Sequence, residues 1–142
     1  MINIRHIGIV VSDLEKSLRF YRDLLGFETK KDNIESGEYI DVFLGLEEVV
    51  VQTVKMTLEN GDMIELLHYK TNKKKPEKIE INQIGCTHFA LTVKDIEATY
   101  RRFMEQDIEF VNPPHLSSNG LAKVAFCKDP DGLYVELVEE IA

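Results

Sequence analysis

The sequence predicts an α+β fold built from two βαβββ modules. Two observations lead to this prediction. A strand that follows a glycine turn occurs twice, as Gly61–Tyr69 and Gly132–Glu139, and each copy has a glutamate four residues after its glycine. Upstream of each copy, a strand that carries a histidine precedes an amphipathic helix. Such recurrence at a constant spacing is typical of an internal repeat.

The first module opens with a predicted strand from Ile4 to Val11, which carries His6. The capping box Ser12-Asp13-Leu14-Glu15 predicts that a helix follows, and Gly26 predicts its end. The apolar face of this helix has the expected helical spacing and consists of Leu14, Leu18, Tyr21 and Leu25.

The rest of the first module is predicted to contain three strands. Phe27 to Lys30 is expected to be a short strand, followed by a polar loop from Lys31 to Glu38. The next segment, Tyr39 to Gly45, has no pattern that assigns it. Val49 to Leu58 and Met63 to Tyr69 are predicted to pair as a hairpin, since the turn between them contains Asn-Gly.

The second module repeats this order. His6 and His88 are 82 residues apart (88 − 6), and the same offset relates Asp13 to Asp95 and the two helix faces. The predicted elements are a strand Thr87–Val93, a helix capped by Asp95 with the face Ile96, Tyr100 and Phe103, a short strand Ile108–Val111, and a hairpin of Ala122–Cys127 with Leu133–Val138.

The first module contains an insertion between its helix and its hairpin. The glutamates Glu65 and Glu136 are 71 residues apart (136 − 65), which is 11 fewer than the offset of the histidines. The additional residues fall within Lys31 to Glu48. Long insertions in loops are often functional, so this segment is a candidate lid.

Composition limits the class of protein. With 142 residues and 44% hydrophobic content, the chain is predicted to be one domain, with modules at about 1–69 and 84–142 and a linker at about 70–83. The net charge of −8 argues against nucleic-acid binding, and the lysines around Pro76 are interpreted as a solvated connector. No apolar run suits a membrane span or signal peptide, which predicts a cytoplasmic protein without membrane partners. The cysteines Cys86 and Cys127 are expected to be buried, reduced thiols.

The repeated histidines and glutamates are the candidate functional residues. A lone histidine or glutamate in a strand usually has a structural or solvated role. Two of each, in matching places of a repeat, favour a shared metal site, because one divalent cation neutralises both carboxylates. The four predicted ligands are His6, Glu65, His88 and Glu136. His68 is expected on the opposite face of its strand, and His115 on the surface.

These motifs resemble the vicinal oxygen chelate superfamily, with glyoxalase I and methylmalonyl-CoA epimerase as the nearest branches. The similarity rests on the run from His6 to Ser17, the Leu25-Gly26-Phe27 motif, the second copy from His88, and Asp129-Pro130-Asp131-Gly132 before Glu136. It covers nearly the whole chain. It implies that the paired modules form a cupped, partly open barrel-like mixed sheet around a divalent metal, usually in a homodimer.

The resemblance also implies an activity. The four ligands match the His/Glu/His/Glu pattern of bacterial glyoxalase I, and the metal is Ni, Zn, Co, Mn or Fe. The expected enzyme is a lyase or isomerase that moves a proton next to a carbonyl, with Glu136 as the base and Glu65 acting on the other face. The substrate is expected to be a small molecule, either a 2-oxoaldehyde thiol adduct or an acyl-CoA. Other polar candidates for a base are Gln52, Glu47, Glu48 and Asp41.

Three alternatives remain open at this point. A methylmalonyl-CoA-type epimerase often has Gln at the position of Glu65. An Fe(II) extradiol dioxygenase uses two histidines and one carboxylate, and is expected to lack a ligand at Glu65. A metal-free drug-binding protein of the superfamily generally loses the ligand set. Strand alternation predicts that the pocket is lined by Gly8, Met63, Leu67, Ala90 and Tyr134.

Overall fold

The computed structural model describes residues 1–141 and divides the chain into two compact units, Met1–Pro76 and Glu77–Ala142. The boundary falls inside the predicted linker at about 70–83. Each unit contains one four-stranded sheet with both parallel and antiparallel pairs. This architecture confirms the predicted α+β class with paired modules.

The first unit contains four strands and two helices. Its elements are β1 (Ile7–Val10), α1 (Leu14–Leu18) continued by a π-helical segment (Arg19–Leu24), β2 (Glu28–Ser36), α2 (Glu38–Leu44), β3 (Val50–Thr57) and β4 (Met63–Tyr69). The sheet order is β1-β4-β3-β2, with β1 parallel to β4. The first strand is shorter than predicted, and His6 lies immediately before it.

Apolar alternation explains the core of the first unit. The buried residues Val54, Met56, Ile64 and Leu66 share one face of the β3–β4 hairpin. The helical segment is also buried along one side, at Leu18, Phe20 and Tyr21. Asp13, rather than Ser12, is the N-cap, and its carboxylate accepts a hydrogen bond from the backbone N–H of Lys16 at 3.1 Å.

The insertion is more ordered than the sequence indicated. The predicted short strand continues to Ser36, so the expected loop at Lys31 to Glu38 is wrong over most of its length. All nine residues of β2 are exposed, because β2 is an edge strand. A polar edge strand has no apolar alternation to distinguish it from a loop. The segment that the sequence left unassigned forms α2.

Helix α2 is attached to the rest of the unit by a buried cluster and by two hydrogen bonds to the side chain of Asp41. Ile40 packs with Val49 and Val51, and the partly buried residues against this cluster are Leu44, Leu46, Leu67 and Tyr69. The Asp41 carboxylate accepts hydrogen bonds from the backbone N–H groups of Glu48 (3.1 Å) and Val49 (2.9 Å). Both contacts hold α2 against the start of β3.

The second unit contains four strands and one helix. Its elements are β5 (His88–Thr92), α3 (Ile96–Glu105), β6 (His115–Leu116), β7 (Ala122–Lys128) and β8 (Tyr134–Glu140), in the sheet order β5-β8-β7-β6. Asp95 caps α3 as predicted, and its carboxylate accepts from Ala98 at 3.0 Å. Glu139 of β8 accepts from the N–H of Ile96 at 2.8 Å, which joins the helix to the sheet.

Two further expectations about this unit are corrected. The strand predicted at Ile108 to Val111 is only an isolated bridge between Phe110 and Cys127. Cys86 is exposed, whereas Cys127 is buried as expected, and both are free thiols. Burial raises the pKa of the Cys127 thiol to about 12, so it stays protonated at neutral pH. Among residues 1–141, no helix is long and apolar enough to span a membrane.

The turn before β8 depends on one buried carboxylate. Asp129 is 5% exposed and accepts hydrogen bonds from the backbone N–H groups of Asp131 (2.9 Å) and Leu133 (2.8 Å). We expect Asp129→Ala to lower the free energy of unfolding by about 1–3 kcal/mol, because it leaves partly buried donors without an acceptor. Urea unfolding measures this loss.

The matched control is Asp62→Ala in the other hairpin. The Asp62 carboxylate is exposed and its side-chain contact is a hydrogen bond from Asn60 at 2.8 Å. Its replacement should change the free energy of unfolding by less than about 0.5 kcal/mol. Equal losses in the two variants would contradict a special role for Asp129.

Candidate metal centre

The first unit brings His6 and Glu65 together through the parallel pairing of β1 with β4. Gly8 is the register partner of Glu65, and His6 lies two residues before Gly8 in the chain. Alternation therefore directs His6 and Glu65 to the same face, on neighbouring strands. The Nε2 atom of His6 lies 3.6 Å from a carboxylate oxygen of Glu65.

The second unit repeats this arrangement with His88 and Glu136. Here β5 is parallel to β8, Ala90 is the register partner of Glu136, and His88 lies two residues before Ala90. The Nε2 atom of His88 is 3.5 Å from a carboxylate oxygen of Glu136. The two units thus present the same pair of donors at the same register.

Each pair fits one half of a metal site. Two ligands about 2.1 Å from one ion, at angles between 90° and tetrahedral, are roughly 3.0–3.5 Å apart. The observed separations, 3.6 and 3.5 Å, are close to this range and too long for strong hydrogen bonds. Imidazole nitrogen with carboxylate oxygen suits zinc, nickel, cobalt, iron or manganese. In the described part of the chain, no group of three or more His, Cys, Asp or Glu side chains could hold a metal ion.

The glutamates are less accessible than the histidines. The side chains of Glu65 and Glu136 are 15% and 25% exposed, against 29% and 41% for His6 and His88. Removing a carboxylate from water costs free energy, so a nearby cation would stabilise both glutamates. The Nδ1 atom of His6 is buried and has no hydrogen-bond partner among residues 1–141, so no second contact selects its tautomer.

The predicted lining residues share faces with the donors. Gly8 and Met63 lie next to the first donor pair, and Ala90 and Tyr134 lie next to the second. Leu67, two residues after Glu65, also packs against the buried cluster that holds α2. Helix α2 of the insertion therefore lies on the same face of the first sheet as His6 and Glu65. Whether it opens and closes as a lid stays a prediction.

Several other polar candidates lie elsewhere. His68 is the register partner of Gln52, so both project from the face opposite Glu65, and Gln52 donates to Asp32 at 2.8 Å. Gln52 is thus wrong as a candidate base. The carboxylate of Asp41 is occupied by its two backbone donors. His115 is exposed as expected, at the start of β6.

Sequence reasoning missed two neighbours of the glutamates. Lys55 of β3 is the register partner of Glu65, and Phe126 of β7 is the register partner of Glu136. The rings of Phe126 and His88 are in edge-to-face contact, with their centroids 5.1 Å apart. The hairpin turns contain the signal for this pairing, because hairpin register determines which residues face each other.

The two units define an α+β class of protein with a repeated His/Glu pair, and a family comparison identifies the family. Residues 3–137 match the model of the Glyoxalase/Bleomycin resistance protein/Dioxygenase superfamily. The chain belongs to this superfamily. The match spans both units and all four candidate ligands.

Curated relatives support the same family, and a solved structure has the same fold. The chain is 33% identical to a probable lactoylglutathione lyase from Synechocystis sp., over 94% of this chain and 92% of the relative. It is 29% identical to lactoylglutathione lyase from Pseudomonas aeruginosa, over 94% of this chain and 80% of that one. The crystal structure of a glyoxalase family protein from Bacillus cereus is similar with a TM-score of 0.91 at 21% identity, covering 100% of this chain and 96% of that one.

The opposite face of the first sheet contains a group that links stability to pH. Burial lowers the pKa of His68 below its ordinary value of 6.5, and the charges of Lys70 and Lys73 lower it further. The contacts with Ser12 and Asp13 act in the other direction. As pH falls below about 6.5, the unfolded chain binds this proton before the folded chain does, so stability decreases.

We expect His68→Gln to remove this part of the acid sensitivity. The test is urea unfolding of both proteins at pH 7.5 and pH 5.0. The variant should lose less stability than the wild type over this interval. An equal loss in the two proteins would exclude His68 as a contributor.

Proposed function

We propose that the chain is a divalent-metal-dependent enzyme of the lactoylglutathione lyase type. The observation that supports this proposal most directly is the repeated donor pair, His6 with Glu65 and His88 with Glu136, at 3.6 and 3.5 Å. The relatives named lactoylglutathione lyase agree with it. We further propose that both pairs hold one metal ion, either within one chain or between two copies. A cytoplasmic location and a homodimer stay predictions.

The proposed reaction moves a proton next to a carbonyl of a small substrate, such as a 2-oxoaldehyde thiol adduct. A bound divalent ion would supply a Lewis acid for the substrate oxygens. Glu136 removes the proton from the carbon next to the carbonyl, and the electrons of the C–H bond move to the oxygen as an enediolate. Glu65 acts from the other face, and the proton returns to the neighbouring carbon. The hydroxyl proton of the adduct moves to the enediolate oxygen, so that the first carbon becomes the carbonyl of the product.

The partial burial of the glutamates suits this role. Each carboxylate lies beside an imidazole and is partly removed from water, so it can contact a small substrate held next to the donor pair. The aromatic edge of Phe126 beside His88 restricts water on one side of that pair. An acyl-CoA epimerase uses the same proton transfer, so methylmalonyl-CoA is the second substrate to assay beside methylglyoxal hemithioacetal.

We expect His6→Ala and His88→Ala each to lower the metal content of the purified protein. Loss of one ligand typically costs much of the affinity for the ion, at least about tenfold. Elemental analysis after dialysis against buffered zinc or nickel measures the metal-to-chain ratio. The control is His68→Gln, whose side chain projects from the opposite face. Wild-type metal content in both alanine variants would refute the shared site.

We expect Glu136→Gln to lower kcat about 10²-fold or more with the fold intact, because an amide cannot accept the proton. Initial rates with both substrates measure the loss, and circular dichroism checks the fold. The matched control is Glu140→Gln, four residues further along β8 on the exposed end of the strand. A variant at position 136 that retains the wild-type rate would remove this glutamate from the mechanism.

A further inference from the structure

The pairing of β3 with β4 places a lysine beside a candidate catalytic carboxylate. Lys55 is the register partner of Glu65 in this antiparallel pair. Directly opposed residues project from the same face, with their Cβ atoms about 4.5–5.5 Å apart. Lys55 therefore shares the face that presents His6 and Glu65.

The ammonium group of Lys55 has no partner in the described part of the chain. Lys55 is half-buried, yet it forms no ion pair there, not even with Glu65. On its other side it is paired with Lys31 of β2. Like charges directly opposed across strands are destabilising, so this arrangement costs free energy in the absence of an anion.

The fold does not require a cation at this position. The equivalent residue of the second unit is Phe126, which is the register partner of Glu136 as Lys55 is of Glu65. The same place in the repeat thus accepts an aromatic ring. In the second unit this strand position holds Phe. In the first unit it holds an unpaired lysine beside a second lysine, which indicates that Lys55 binds a ligand rather than packs against the protein.

We propose that Lys55, with Lys31 next to it, binds an anionic group of the substrate beside Glu65. This inference rests on the proposed function, because it assumes that the reacting carbon lies near Glu65. The distance between neighbouring strands is short, so the anionic group must be close to that carbon. The substrate class is then a small carbonyl compound with a carboxylate within a few bonds of the carbon that loses its proton, which favours the acyl-CoA over the 2-oxoaldehyde thiol adduct as the substrate of the proposed reaction.

Lysine at this place serves two purposes. Its charge selects substrates that carry the carboxylate, because a neutral analogue leaves the ammonium without a partner. It also offsets the repulsion between the substrate carboxylate and Glu65, which would otherwise lie close together as two anions. Phe126, in the corresponding place of the other unit, offers an apolar contact instead.

Binding of matched ligands tests the inference without relying on turnover. The probes are methylmalonate and its diamide, which keeps both carbonyl oxygens but has no negative charge. Calorimetry on zinc-loaded protein measures both affinities. Lys55→Gln should weaken methylmalonate binding roughly tenfold or more and change diamide binding less than about twofold, because a charge-assisted hydrogen bond to a carboxylate is lost only for methylmalonate.

Three further variants make the result specific. Lys55→Arg should retain most of the affinity, and Lys31→Gln should show a smaller loss of the same kind. Lys74→Gln changes the same charge in the exposed connector and should have no effect. Zinc content is measured in every variant, so that loss of metal is separated from loss of the anion contact.

The outcomes distinguish the two proposals. Equal weakening of both probes in Lys55→Gln, no weakening, or an equal effect of Lys74→Gln would overturn the anionic subsite. Absence of turnover in the wild-type protein, with the charge preference of Lys55 intact, would overturn the proposed reaction but support the subsite.

Discussion

The register between the first and last strands of each unit is the constraint on which the candidate site depends. Parallel pairing places the histidine two residues before the partner of the glutamate in both units. A slip of one residue would move either glutamate to the opposite face and separate it from its histidine. Such a slip would also expose the apolar residues that alternate with the glutamates along these strands. Burial of the core therefore stabilises the register that the site requires.

The glutamates occupy these positions at a cost. Glu65 and Glu136 lie on strands whose neighbouring residues, Ile64, Leu66, Val135 and Leu137, are fully or almost fully buried. A strand without these carboxylates would be easier to accommodate in the sheet. The presence of a glutamate beside an imidazole in both units is explained if a bound cation neutralises the carboxylates. This is the physical basis of the proposed metal dependence.

The two units have diverged around a common frame. The first has an additional helix, α2, packed on the donor-bearing face, and a lysine beside its glutamate. The second has a phenylalanine beside its glutamate, and α3, the helix common to both modules, is the one helix that the structure describes between β5 and β8. The repeat therefore keeps the same donor pair in both units while the residue beside each glutamate differs.

The sequence by itself determined the repeat, the α+β class, the cap at Asp95, and the pairing of each histidine with a glutamate. These follow from local rules: strand alternation, helical spacing, glycine turns and a constant offset. Only the tertiary structure decided that β2 continues to Ser36, that α2 packs on the donor face, that Cys86 is exposed, and that Lys55 and Phe126 stand beside the glutamates. The extent of β2, the packing of α2 and the exposure of Cys86 depend on contacts between distant parts of the chain, about which local patterns contain little information. The neighbours of the glutamates lie within predicted hairpins, whose turns indicate the pairing but whose register only the structure gives.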